Sequence, residues 1–358
     1  MLERFKLKEE DAVRVQEGAL RDTVTAIFEK MDVPSEDAEL AADVLVSADL
    51  RGVETHGVSN ILRQYVERYQ SGDINPRPEW RIVRETPSTA NIDADRGHGI
   101  IVTPKAMDIA IAKAKETGVG MVTIGNAKHL GMAAYHAMLP LKHDMIGMCM
   151  TSCPPSVLPT FGGEPRLGTN PIALAAPAGE EPPFVFDAAT SVIPDNRVHI
   201  ARRLGVDLLP GWLGDDQGNP IMEPVPAPSP HRLLPLGGVR ETGSHKGYGL
   251  GCIVDILCGV LSLSGFGAMR DRGTFAHFVA AYSIEAFVDA GQFKSMMDNY
   301  LRTLKETPPA PGHERVLVAG QQEWEAEQER RTKGIPLHTE VVQWFRDICG
   351  ELGIPFKL

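Results

Sequence analysis

The run Asn75-Pro76-Arg77-Pro78 separates two stretches of different periodicity, and that break constrains the fold more than any other feature of the chain. Proline gives up a backbone donor and drives the residue before it out of the helical region. Before the break the spacing is helical. Residues 19–31 show spaced apolar positions, Pro34-Ser35 supplies a break and an N-cap, and the Ala-rich, amphipathic residues 36–50 run up to Gly52. Residues 58–71 read as a third helix, closed by Gly72. After the break, short β-branched runs alternate with helical segments. Arg81-Ile82-Val83, Gly120 to Ile124, residues 145–151 and residues 172–176 read as strands, with a helix over 106–115.

Between the last two of these strands lies a long loop, residues 153–170, with four prolines and three glycines. Loops of this length inside a compact domain are more often functional than idle. Residues 187–235, again rich in Pro and Gly, are predicted to wrap the surface. The most apolar window, 250–269, approaches membrane-span length. Asp255 and several Gly and Ser residues favour a buried helix over 247–263 instead. Residues 274–287 read as a strand and 292–304 as a helix. A Pro-rich connector at 308–312 then leads to a short strand and two C-terminal helices.

At 358 residues, the chain has room for two or three units, and 43% hydrophobic content supports a substantial core. Lys plus Arg is 36 against 47 Asp plus Glu, a net charge of −11. That sign excludes a sequence-independent nucleic-acid binder and gives no support to an anionic membrane surface as partner. The five cysteines, Cys149, Cys153, Cys252, Cys258 and Cys349, form no CxxC, so neither a disulfide framework nor a zinc knuckle is indicated. A reducing cytoplasm fits that usage best. The first residues contain no apolar stretch of the signal-peptide kind, and neither export nor membrane insertion is expected.

No GxGxxG follows a predicted strand, so the ordinary dinucleotide fingerprint is missing. Gly238 to Gly243 has P-loop spacing, but Ser244-His245-Lys246 follows it. That turn still opens a predicted helix, whose first amides favour anions. His129, His136 and His143 are seven apart, but Pro140 interrupts any shared helix, and no metal site is expected. Three clusters remain: Arg51-Gly52-Val53-Glu54-Thr55-His56-Gly57, Gly125-Asn126-Ala127-Lys128-His129-Leu130-Gly131, and Arg166-Leu167-Gly168-Thr169-Asn170-Pro171 with Asp187 shortly after. Each alone also reads as a Gly-bounded turn whose polar residues satisfy the backbone.

Taken together, the clusters resemble the malate/L-lactate dehydrogenase family, type 2. The matching stretches are ADLRGVETHGVSN (48–60), SGDINPRP (71–78), GHG (97–99), GNAKHLG (125–131), RLGTNPIA (166–173), FVFDAATS (184–191), GWLGDDQGNP (211–220), SHKGYGL (244–250), VDILCGVLS (254–262) and PGHERV (311–316). The resemblance spans nearly the whole chain in order. It implies an α+β fold: a non-Rossmann nicotinamide-binding region with a mixed, largely antiparallel sheet, plus a helical domain. In domain terms, residues 1–78 are expected to pack with the C-terminal helices of 320–358, and residues 79–319 to form the nicotinamide- and substrate-binding region. It also implies a homodimer using NAD or NADP, with NAD preferred, on a small carboxylate substrate. The family's members include sulfolactate, ureidoglycolate and diketogulonate enzymes and cyclic-imine reductases.

Residue by residue, His56 matches the family's THG/SHG histidine and His129 a second one, each assigned as the acid/base in some members, and Asp187 matches the aspartate of the D-x-A-T-S segment. Leu167, Gly168, Thr169, Asn170, Pro171, His245, Lys246, Gly247, Gly312, His313 and Glu314, with His129 and Asp187, fall where the family contacts its cofactor. Two departures stand out. Many members carry Arg four residues after the THG histidine, where this chain has Asn60. The Gly-Lys pair common after D-x-A-T-S gives way to Ile193-Pro194-Asp195-Asn196-Arg197.

The expected reaction interconverts a 2-oxo acid and a 2-hydroxy acid by hydride transfer. Histidine suits the proton step because its ordinary pKa lies near working pH. His56 is preferred for its Gly-flanked presentation, with His129 the other candidate and Asp187 orienting an imidazole or the nicotinamide amide. Arg51 and Arg63 are candidates for the substrate carboxylate, with Asn60 and Thr169 beside them, since guanidinium binds carboxylate bidentately. The alternatives are reduction of a cyclic imino acid in the same pocket, and a cofactor-binding sensor without catalysis.

Overall fold

A seven-stranded sheet organises the computed structural model, which describes residues 3–270 and 273–358. The elements, in chain order, begin with β1 (Ala12–Val15), α1 (Glu17–Lys30), α2 (Ser35–Leu50) and α3 (Val58–Gln70). Next come β2 (Arg81–Glu85), β3 (Thr89–Asp93), α4 (Gly99–Thr117), β4 (Val119–Ala127), α5 (Ala133–Met138), β5 (Met145–Ser152), β6 (Ile172–Ala176) and β7 (Phe184–Ala188). Then follow α6 (Asn196–Leu204), β8 (Leu213–Gly214), β9 (Arg232–Leu233), α7 (Ser244–Val254), β10 (Phe275–Ser283) and α8 (Ala290–Lys305). The last three are α9 (Gln321–Lys333), β11 (Ile335–His338) and α10 (Thr339–Leu352). The sheet order is β2-β3-β4-β10-β5-β6-β7, antiparallel except for the β3–β4 pair, which α4 connects. The expected mixed, largely antiparallel sheet is therefore present, and no Rossmann strand order exists to carry a GxGxxG.

β10 lies at the centre, paired on one side with β4 and on the other with β5. It reads as an almost continuous apolar run because both its faces are covered. Val279 and Ala281 join a core with α4, α5 and the N-terminal helices, whereas Ala276, Phe278 and Ala280 pack with Val254 and Cys258. α1 and α2 lie against one another, burying Leu20, Val24, Ile27, Phe28, Leu45 and Val46, and α10 adds Phe345 to the same core. β1 pairs antiparallel with β11, Ala12 opposite His338. Residues around α6, β8 and β9 build a smaller core of Val198, Leu208, Leu213 and Leu233, and Phe5 inserts into it against Trp212.

Several local expectations need correction. The helix read at 106–115 begins at Gly99 and passes through Pro104. The position ahead of α2 is Pro34 with no side-chain cap, and the Ser35 hydroxyl bonds Glu29 instead. The segment 187–235 contains α6, so it is more than a surface wrap. The short strand expected before the two last helices lies between them, as β11. The buried helix read over 247–263 divides into α7 and a wider turn, Asp255–Val260, and it is only half covered. Leu250, Ile253, Ile256, Val260, Leu261 and Leu263 are all exposed. Among the described residues no helix is long and apolar enough to cross a membrane.

Candidate active site

The His56 turn is held from beneath by a carboxylate. α2 ends at Leu50, a short turn carries Glu54–His56, and α3 starts at Val58. Asp49 accepts a hydrogen bond from the Val58 N–H at 2.7 Å, giving α3 an N-terminal cap from a neighbouring helix. Gly57 sits directly on that carboxyl: a Cβ there would come within 2.2 Å of Asp49 Oδ1. Burial pushes the Asp49 carboxyl up to about 7. Arg330 of α9 donates to the Asp49 carbonyl and pairs with Glu54 at 2.8 Å. From the other side, Asn196 Nδ2 of α6 donates to the Thr55 carbonyl at 2.7 Å. The Thr55 hydroxyl lies 2.8 Å from His56 Nδ1.

His129 follows β4 and meets His56 face to face, with ring centroids 5.8 Å apart and planes 11° apart. The structure thus brings together two histidines 73 positions apart in the chain. The Gly131 N–H donates to His129 Nδ1 at 3.2 Å, and the Tyr65 hydroxyl lies 2.6 Å from the same nitrogen. A backbone N–H only donates, so Nδ1 is an acceptor, Tyr65 donates to it, and the ring proton sits on Nε2. Both rings are held neutral. Burial, then the Arg197 charge, lowers His56 to about 4. Burial, then the neighbouring His56, holds His129 well below the usual imidazole value.

Sequence reasoning missed the layer beneath. His98 packs edge-on against Tyr65, with centroids 4.1 Å apart, and its Nδ1 lies 2.9 Å from the Tyr69 hydroxyl. Buried His277 bridges the Thr151 hydroxyl and the Lys128 carbonyl, while Lys128 pairs with Asp73 at 2.6 Å. The GHG at 97–99 was the one signal in the sequence for His98. Tyr65 and His277 had none.

The remaining site residues are placed as follows. Asp187 is open to solvent on one side and accepts from the Ala134 N–H at 2.7 Å, at the start of α5, with no imidazole partner among the described residues. Crowding by the surrounding protein pushes its carboxyl up to about 7. Arg51 pairs with Glu327 of α9 at 2.9 Å. Arg63 is on the far side of α3 from Tyr65, over the Trp344 ring at 5.6 Å. Asn60 is buried, donating to the Glu54 carbonyl and accepting from Arg203. A cleft of about 610 Å³ opens beside the His56 turn, lined by Arg51, Thr55, Arg197, Glu323 and Arg330 among others. The three spaced histidines do not converge, since the His136 ring nitrogen is spent on the Leu130 carbonyl.

The residues matched to cofactor contacts form two groups. Asn170 is a buried clamp, accepting from the Cys153 N–H and donating to the Gly251 carbonyl. It thereby ties the 153–170 loop to α7, and Thr169 beside it accepts from Thr190 through its carbonyl. Leu167 and Gly168 are buried and Pro171 half-buried in the same loop. Gly243 precedes α7 with φ +101°, a conformation costly for other residues. His245 and Lys246 are exposed on the first turn, and Gly247 is buried behind them. The Ser244 and Lys246 N–H groups are spent on the Val239 and Gly243 carbonyls, so what this turn offers a phosphate-bearing nucleotide is the Lys246 ammonium beside a helix start. Gly312, His313 and Glu314 lie on the exposed connector after α8.

The sheet order places the fold outside the Rossmann class. The family model described as malate/L-lactate dehydrogenase matches residues 15–346, and the chain belongs to that family. It is 39% identical to the malate dehydrogenase of Pyrococcus horikoshii, covering 97% of each chain. The solved structure of that enzyme superposes with a TM-score of 0.90 over 98% of each chain. The L-sulfolactate dehydrogenase of Methanocaldococcus jannaschii is 36% identical over 92% of this chain and 94% of its own. The NAD(+) ureidoglycolate dehydrogenase of Escherichia coli is 32% identical over 86% and 88%. Membership makes this protein an oxidoreductase of 2-hydroxy and 2-oxo acids that works with a nicotinamide cofactor.

Proposed function

We propose that the protein interconverts a malate-like 2-hydroxy acid and its 2-oxo acid, with NAD as the preferred cofactor, and that the stacked His56–His129 pair handles the proton. That pair is the observation that carries the reading. Lys246, His245 and the start of α7 hold the cofactor, with the Thr169–Asn170 loop and the Gly312–Glu314 connector beside them. When held there, the cofactor would supply the hydride chemistry in either direction. For oxidation, His56 takes the hydroxyl proton, while His129 donates its Nε2–H to the same oxygen and stabilises the charge that develops there. His56 suits proton exchange because its Nδ1 partner, the Thr55 hydroxyl, can accept as well as donate. His129 suits a fixed donor because Gly131 leaves its Nδ1 no room for a proton. NAD is preferred because a relative at 32% identity is named for NAD(+).

The test is loss of reduced-nicotinamide absorbance with NADH and NADPH against oxaloacetate, pyruvate, sulfopyruvate and a cyclic imino acid. Turnover of a 2-oxo acid, faster with NADH, is the expected result. Turnover of the imino acid alone, or of nothing at all, overturns the reading.

The exposed apolar face of α7 and the turn after it supports the homodimer. Six large apolar side chains exposed on one continuous segment are the kind of patch that marks an interaction surface. Replacing Ile256 and Leu261 with Asp is expected to convert a dimer to a monomer in light scattering. An unaltered protein that is already monomeric refutes the assignment. The five free cysteines, four of them buried, support a reducing, cytoplasmic setting.

A further inference from the structure

A 2-hydroxy acid brings a carboxylate into the site, and the side chains expected to meet it are committed elsewhere. The position four residues after His56 is Asn60, whose amide is spent on the Glu54 carbonyl and on Arg203. Arg63 lies over Trp344. Five guanidinium groups line the cleft beside the His56 turn. Four are neutralised: Arg14 by Glu9, Arg51 by Glu327, Arg315 by Glu325 and Arg330 by Glu54. The fifth, Arg197, has no carboxylate partner among the described residues.

Arg197 is held ready for one. Its guanidinium stacks over the ring of Phe5, 5.4 Å from the centroid, and Phe5 is itself 1% exposed. A ring face supplies no hydrogen-bond acceptor, and the guanidinium donates to none among the described residues, so its N–H groups remain for a carboxylate, which they bind bidentately. The helix that bears it is fixed at both sides. The neighbouring Asn196 is latched to the Thr55 carbonyl at 2.7 Å, next to the catalytic turn, and Asp195 is held by His231 at 2.8 Å. Glu54, the acid whose charge reaches Arg197, is already paired with Arg330. A half-buried cation without a counter-ion is costly, so the arrangement favours an anionic guest.

We propose that Arg197 binds the substrate carboxylate, supplying from α6 the cation that position 60 lacks, and so selects 2-oxo and 2-hydroxy acids over uncharged carbonyl compounds. The assignment rests on the oxidoreductase reading above and adds its specificity-determining residue. It also gives a purpose to the departure at Asn196-Arg197, since the first residue latches the helix and the second uses the position so fixed.

Steady-state reduction of a 2-oxo acid and of its methyl ester, by unaltered protein and by Arg197→Gln, tests it. The unaltered protein is expected to prefer the acid. In Arg197→Gln, KM for the acid is expected to rise about 10- to 100-fold, the range for losing a charged hydrogen bond, and the preference over the ester to shrink by the same factor. Arg197→Lys, which keeps the charge but not the fork, is expected to fall between the two. It also serves as the readout if the Gln variant melts early. An acid-to-ester preference unchanged in both variants, with the unaltered protein active, overturns the assignment of Arg197 alone. No turnover of any 2-oxo acid by the unaltered protein overturns the oxidoreductase reading itself.

Discussion

Replacing His56 and His129 together with alanine is expected to lower kcat for hydroxy-acid oxidation by about 100- to 10,000-fold, the span a positioned acid/base contributes, without unfolding the protein. The two single variants are expected to differ in kind. His56→Ala removes the group that takes the proton, whereas His129→Ala removes a donor to the developing oxyanion and leaves the base in place. Full turnover in the double variant sinks the proposed chemistry. The same geometry fixes a pH response. Because the His56 pKa is lowered to about 4, the neutral form that accepts a proton persists well below the usual imidazole range. Oxidation kcat/KM is therefore expected to stay level from pH 8 down to pH 6 and to fall only on approach to pH 4. A break near 6.5 that persists in Asp49→Asn and Asp187→Asn, the two carboxyls raised to about 7, assigns the base to some other, less buried group.

Gly57→Ala is expected to cost about 1–3 kcal/mol of stability, the ordinary penalty for overpacking, and to lower kcat about 100-fold, the effect of moving a catalytic group by about 1 Å. The added methyl meets three atoms of the Asp49 carboxyl at 2.2 to 2.4 Å. That carboxyl cannot withdraw without dropping the Val58 N–H. Adding Asp49→Ala to Gly57→Ala is expected to recover part of the stability, because it removes the atoms in collision. Strictly additive losses in that cycle would mean that the two residues do not interfere. Asp49 also makes stability depend on pH. In the fold it keeps its proton up to about 7, against 3.8 in an unfolded chain, so the folded state binds the proton more tightly. Stability contributed by that proton is complete below 4 and declines as pH rises through 7.

The features legible in the sequence were those set by neighbouring residues. Glycines around His56 and His129 marked two turns, and β-branched runs marked β4, β5 and β6. What had to be seen in three dimensions depended on partners far along the chain. Tyr65 reads as an ordinary apolar position of an amphipathic helix, and only the fold brings His129 to its hydroxyl. Arg51 and Arg63 looked available for a substrate because Glu327 and Trp344, which occupy them, come from the last two helices. The 247–263 segment was apolar enough to be buried, but composition does not say how many sides of a helix are covered. α6 was hidden because Pro and Gly on both sides of it made the whole stretch read as loop.

The ribbon of β1 and β11 joins segments more than three hundred residues apart, with Val15 opposite Ile335. During synthesis, then, the helices that flank His56 are made well before the strand that completes them. α1, α2 and α3 leave the ribosome early, but the strand that clasps them, the α10 side chains that fill their core and the Arg330 that braces Asp49 all arrive in the final stretch of chain. Long-range closures of this kind are paid for in conformational entropy and form slowly. A nascent chain therefore carries His56 on an unfinished scaffold until α10 is out, and the candidate site is completed as one late event.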